Sequence, residues 1–138
     1  MTDLQKAKKG LAGHTLCLAK GAETIVSDKR GVAPMMEIIS SGRDVNGFSA
    51  ADVVVGKAAA MLFVKAGVSA VYAATISAAA KEFLDKSGVP YEYGALTERI
   101  INRQGTGLCP MEQAVLDCGD AEEGYLKIKE KLKELSPK

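Results

Sequence analysis

A chain of 138 residues, 47% hydrophobic and 25% charged, has the size and composition of one globular domain and can bury a core without disulfides or a structural metal. Its 18 Lys and Arg against 17 Asp and Glu give a formal net charge of +1, which supplies no broad positive field for gathering the phosphates of a nucleic acid. No apolar run approaches the roughly 20 residues that span a bilayer, and the lysines at 6, 8 and 9 have no apolar h-region behind them. The expectation is a single cytoplasmic domain over residues 1–138 with neither nucleic-acid nor membrane partners. Cys17, Cys109 and Cys118, odd in number and irregular in spacing, read as free thiols of a reducing compartment.

In chain order, Thr2 and Gln5 stand at capping-box spacing, and Leu4, Ala7 and Leu11 share one face of a short helix that Gly10 and Gly13 end. Residues 14–20 alternate, Leu16 and Leu18 on one side and Thr15 and Cys17 on the other, and Gly21-Ala22 turns this strand back through residues 24–27 as a hairpin. Pro34 and Gly42 bracket a helix through Met35, Met36, Ile38 and Ile39, with the methionines read as core filler. After the Asn46-Gly47 turn, a short strand near residues 48–51 feeds a helix over residues 52–66, with Asp52 as its N-cap and Gly67 as its stop.

Residues 71–76 form an apolar run without alternation, as a strand covered on both faces would, and Ser77 caps the helix that follows. Gly88 and Pro90 end that helix, and residues 91–96 read as the next strand. Thr97 is expected to cap a helical turn through Ile101, a glycine loop follows, and Pro110 opens another helix. In the last helix Asp120 and Glu123 have capping-box spacing, and Tyr125, Ile128, Leu132 and Leu135 form the buried stripe. The lysines at 127, 129, 131 and 133 read as a solvated face. A leading hairpin followed by alternating helices and strands predicts an α/β fold: three layers, α/β/α, around one mixed sheet of about five strands.

The segments Asp52-Val53-Val54-Val55-Gly56-Lys57-Ala58-Ala59-Ala60, Thr75-Ile76-Ser77 and Asn102-Arg103-Gln104-Gly105-Thr106-Gly107-Leu108-Cys109-Pro110-Met111-Glu112 resemble a prokaryotic family, domain-of-unknown-function family 1893. The resemblance implies a cytidine-deaminase-like fold and no settled activity. Zinc deaminases of that fold carry His-Ala-Glu or Cys-Ala-Glu at one helix start and Pro-Cys-x-x-Cys at the next. Here the corresponding positions are Gly56-Lys57-Ala58 and Ser77-Ala78-Ala79-Ala80, and alanine cannot ligate a metal. His14 and Cys17 face opposite sides of a strand, and Cys109 and Cys118 lie far apart for a zinc pair. We therefore expect no metal, no cofactor and no zinc-dependent deaminase chemistry.

The segment from Asn102 to Glu112 is the strongest candidate site, because a glycine-rich loop runs into a helix start. Gly105 and Gly107 can bring backbone N–H groups close to a ligand, the first helical turn leaves N–H groups unpaired, and Arg103 can fork to phosphate or carboxylate. Cys109, at the cap, is a candidate nucleophile. Lys57, Thr75 and Ser77 fall at the carboxyl edge of the sheet, where open α/β sheets bind ligands, and Asp52 and Glu112 complete the set. Plainer roles exist for each: Gly56 and Ala60 as a small face for packing, Ser77 as a cap, the two glycines as a turn. Gly56-Lys57 is not a phosphate loop, since Ala51 replaces its first glycine and Ala58 its hydroxyl. His14 reads as a residue with a structural partner.

Two functions fit these features. One is an enzyme, or former enzyme, that binds a small anionic or nucleotide-like ligand near residues 105–112 with Cys109 as nucleophile. The other is a non-catalytic binding or regulatory module, and the sequence leaves room for a homo-oligomer in either case.

Overall fold

The computed structural model describes residues 1–100 and 109–135 of the chain. Five strands form one mixed sheet in the order β2-β1-β3-β4-β5. β1 (Leu16–Lys20) is antiparallel to β2 (Glu23–Ser27) and to β3 (Ser49–Val55), whereas β3, β4 (Ala70–Ser77) and β5 (Tyr91–Thr97) run parallel. The parallel half needs crossover helices, and α3 (Lys57–Ala66) and α4 (Ala78–Ser87) supply them. The α/β class, the mixed sheet and its five strands are as the alternation of elements predicts.

Helices cover the two faces unequally. Leu16 and Leu18 of β1, Ala50 of β3 and Val71 and Ala73 of β4 turn one way and build the main core with α2 (Ala33–Ser40), α3, α4 and α6 (Ala121–Leu135). α3 is the centre of this layer: Ala58 to Phe63 are all buried, so the helix is enclosed on every side. α6 lies across it, with Gly124 seated on the side chain of Met61. Among the described residues the opposite face carries only α1 (Asp3–Gly10), which joins Ala7 to Ala19 and Ala51 in a second small cluster flanked by Leu11 and Tyr72. Gly10 is required there, because a Cβ would stand 2.6 Å from the sulfur of Cys17.

Local signals account for most boundaries. Thr2 and Gln5 form the reciprocal capping box of α1, and Ser77 accepts the Ala80 N–H at 3.1 Å at the start of α4. Asp120 accepts the Glu123 N–H at 2.8 Å ahead of α6.

Three expectations are corrected. Asp52 is not a helix cap: β3 continues through Val53, Val54 and Val55, whose β-branched side chains favour the extended chain, and α3 starts only after Gly56. Thr97 caps no helical turn, since it ends β5, and residues 98–100 are irregular; Ile101 lies outside the described residues. Leu135, placed in the buried stripe of α6, is 54% exposed, because the core beneath that helix ends at Ile128 and Leu132.

α3 and α4 each end on a glycine in the left-handed conformation, Gly67 at φ 80° and Gly88 at φ 73°. The surroundings differ: a Cβ on Gly67 would run into the carboxamide of Asn46, whereas nothing lies within 4 Å of one on Gly88. Gly88→Ala should cost only the left-handed penalty, about 1 kcal/mol, and Gly67→Ala at least about twice that. Urea denaturation of the two variants checks this, and equal losses would contradict it.

Candidate functional site

The site forms where β3 outruns its neighbour. β1 opposes β3 only as far as the Leu16–Asp52 pair, and the Val53 N–H still reaches the Thr15 carbonyl at 3.3 Å. Beyond that, Val54 and Val55 pair with β4 alone. Arg30, Gly31 and Val32 enter this notch from the chain ahead of α2, and Cys109, Met111 and Glu112 enter it from the start of α5 (Pro110–Ala114). The result is a cavity of about 460 Å³ with walls of Val32, Val54, Ala58, Ala59, Ile100 and Met111. Ile100 and Cys109 are joined directly, the Cys109 N–H donating to the Ile100 carbonyl at 2.9 Å.

Glu112 closes the inner end. Gly56 supplies no side chain to cap α3, so the first N–H groups of a ten-residue helix need an acceptor from elsewhere. The Glu112 carboxylate provides it, one oxygen accepting from the Lys57 N–H at 2.8 Å and the other from the Ala58 N–H at 2.9 Å. Glu112 is 7% exposed, and the positive end of the helix dipole together with two charge-assisted hydrogen bonds offsets the burial of its charge. Gly56 is small for this reason, since a Cβ on it would lie 2.6–2.7 Å from the carboxylate atoms. The packing role read for Gly56 therefore belongs to a carboxylate.

Asp52 is the carboxyl group left facing the cavity. Burial among the apolar walls pushes it up to about 7, and the backbone N–H groups of Val54 and Val53 pull only partly the other way. Arg30, exposed at the rim, makes no ion pair among the described residues.

Of the candidates drawn from the sequence, Asp52, Cys109 and Glu112 come together in this cavity. Lys57 and Ser77 instead line a second hollow of about 260 Å³ on the far side of Glu112, with Glu98, Arg99 and Leu116. There the Lys57 ammonium donates to the Leu116 carbonyl at 3.1 Å, and Ser77 serves as a helix cap. Thr75 lines neither space; it sits between Val54 and Ala95 in the sheet. Asn102, Arg103, Gly105 and Gly107 lie outside the described residues. His14 has the structural partner expected of it, Asp28, at 2.7 Å. Cys17, Cys109 and Cys118 are unbridged, and burial pushes the thiols of Cys17 and Cys118 up. Among the described residues no three His, Cys, Asp or Glu side chains cluster as a metal would require, and no helix is long and apolar enough to cross a membrane.

Arg30 and Val32 were not read from the sequence as site residues. The signal was present: Arg30-Gly31 precedes a Pro-started helix just as the residues from Arg103 to Pro110 do, and Gly31 adopts φ 62°.

An acid raised in the folded state binds its proton more tightly there than in the unfolded chain. The contribution of Asp52 to stability is therefore fully present below the unfolded value near 3.8 and is lost as pH rises through about 7. Between pH 5 and pH 8 the protein should lose roughly 2–3 kcal/mol relative to Asp52→Asn, which keeps the shape of the neutral acid. Chemical denaturation of both proteins at the two pH values measures this, and parallel pH profiles would contradict it.

A family model described as a domain of unknown function (DUF1893) matches residues 6–132. The crystal structure of a DUF1893 family protein from Thermotoga maritima aligns with a TM-score of 0.84 at 26% identity, covering 95% of this chain and 91% of that one. No curated protein matches. Matched over nearly its whole length and sharing the fold of a solved relative, the chain belongs to the DUF1893 family.

Proposed function

We propose that the protein binds a small anionic ligand with a flat, apolar body, of the nucleotide kind, in the cavity at the carboxyl end of β3. The observation that carries this reading is a cavity of about 460 Å³ with apolar walls, two carboxyls of which only Asp52 is left free of the α3 start, and at its rim the Arg30 guanidinium, without an ion pair among the described residues. Cavities that hold small molecules have this volume and this economy of polar groups. An apolar ring replaces water against Val32, Val54 and Met111, an N–H of the ligand donates to Asp52, and its phosphate or carboxylate meets Arg30. The resemblance to the deaminase fold supports the choice of a nucleotide-like body and is part of the proposal.

The anion does not sit at the start of α3, whose Lys57 and Ala58 N–H groups already hold Glu112. That same occupancy favours binding over catalysis: the described residues leave no pair of backbone donors at this helix start for a developing oxyanion. The catalytic version adds Cys109 as nucleophile, and it draws support from Cys109 and Asp52 lining one cavity.

The test uses adenosine, cytidine, guanosine and uridine monophosphates against the parent nucleosides, by calorimetry and amide NMR. At least one monophosphate should bind more tightly than its nucleoside and shift the Val54, Ala58 and Cys109 amides. Arg30→Ala should weaken it roughly 10- to 100-fold, the range for a hydrogen bond to a charged group. A nucleophilic Cys109 would also alkylate rapidly below neutral pH and be protected by the bound ligand. Monophosphates that leave all three amides unmoved would overturn the reading.

A further inference from the structure

β5 is the last strand of the sheet, and among the described residues no strand pairs with its outer side. Its pairing with β4 determines which backbone groups remain open. The Val71 N–H donates to the Pro90 carbonyl at 3.0 Å, and Val71 stands opposite Tyr91. In a parallel ladder this register turns Pro90, Glu92, Gly94 and Leu96 toward β4, so Tyr91, Tyr93, Ala95 and Thr97 aim their N–H and C=O groups away from the sheet. Backbone groups so placed need water or a partner.

The two edges of the sheet are built differently. β2 has five residues; Glu23 at its start is held by Arg43 at 3.0 Å, and Lys29 just past its end pairs with Glu37 at 2.5 Å. Charges and crossing ion pairs of this kind discourage a further strand. β5 has seven residues, no proline, and one charge, Glu92, which Lys8 of α1 holds at 3.1 Å. Residues 92–96 are exposed in an unbroken run, with Tyr93 at 40% and Leu96 at 52%.

We propose that β5 is the interface with a second copy of this chain, the two strands pairing antiparallel about a two-fold axis at Gly94 so that the sheets become continuous. The parity of the edge selects this register. With the axis at Gly94, Tyr93 faces Ala95 of the second copy and Tyr91 faces Thr97, so every outward-pointing residue meets another outward-pointing one and exchanges both hydrogen bonds with it. On the axis Gly94 meets its own counterpart at a non-hydrogen-bonded position, where α-carbons approach to about 4.5 Å and side chains crowd most. Tyrosines fall opposite small or β-branched residues, Leu96 lies over the Glu92 stem, and no like charges stand opposite each other. A two-fold arrangement satisfies both edges at once and stops at two copies.

Light scattering over a dilution series tests the proposal on the whole chain. The mass should be twice 14.5 kDa at high concentration and fall to 14.5 kDa on dilution. Ala95→Pro should stay at 14.5 kDa throughout while folding normally, because it removes an N–H that has no partner among the described residues of one copy. Should that variant fail to fold, amide exchange of the unaltered protein decides. The Tyr93 and Ala95 amides should be protected in the dimer and exposed on dilution, while Gly94 and Leu96 stay protected in both states. A monomer at every concentration, a folded Ala95→Pro dimer, or a dimer whose Tyr93 and Ala95 amides exchange fast would each overturn it.

Discussion

The carboxylate of Glu112, laid across the first two N–H groups of α3, is the contact on which the site depends. α3 is the enclosed helix of the main core, and α5 is a five-residue helix with little apolar surface of its own to hold it. Glu112 fastens one to the other. It also fixes Gly56, because no larger residue leaves room for the carboxylate. With α5 so placed, Met111 and Cys109 become walls of the cavity, and Glu112 divides that cavity from the hollow beyond it.

That arrangement leaves the two acidic side chains of the site in contrasting surroundings. Glu112 has both oxygens hydrogen-bonded to N–H groups at a helix start. Asp52 meets mostly hydrocarbon, and burial raises it to about 7. A group poised there changes charge near neutrality, and a protein that keeps it accepts a loss of stability as pH rises. Such costs are found where a ligand compensates them, which is why Asp52 is central to the proposed binding role.

The local rules carried the reading of the elements a long way. Alternation in β1, the apolar run of β4, the Thr2 and Ser77 caps and the Gly67 and Gly88 stops all depend on neighbours in sequence. Asp52 was misplaced because a cap residue ahead of an alanine-rich helix is a common local pattern, and the three valines between them were given too little weight. The site was legible in parts only. Cys109, Asp52 and Glu112 were picked out by motif and resemblance, but the role of Glu112 in capping α3 was not. Its partners are 54 and 55 residues away, and no spacing rule reaches so far. Arg30 and Val32 join the cavity only because β1 stops short of β3, a property of the strand register that composition does not reveal.

The most direct test of this account is a double-mutant cycle between Gly56 and Glu112. Gly56 has φ −96° and ψ 179°, an extended backbone that alanine adopts freely, so Gly56→Ala acts only by displacing the carboxylate. Glu112→Ala removes the same carboxylate. Each single variant should therefore lose roughly 2–4 kcal/mol in denaturant unfolding, and the double variant about the same as either alone. Losses that add, or a Glu112→Ala variant within about 1 kcal/mol of the parent protein, would show that the helix start does not depend on this carboxylate and would remove the basis for the site built around it.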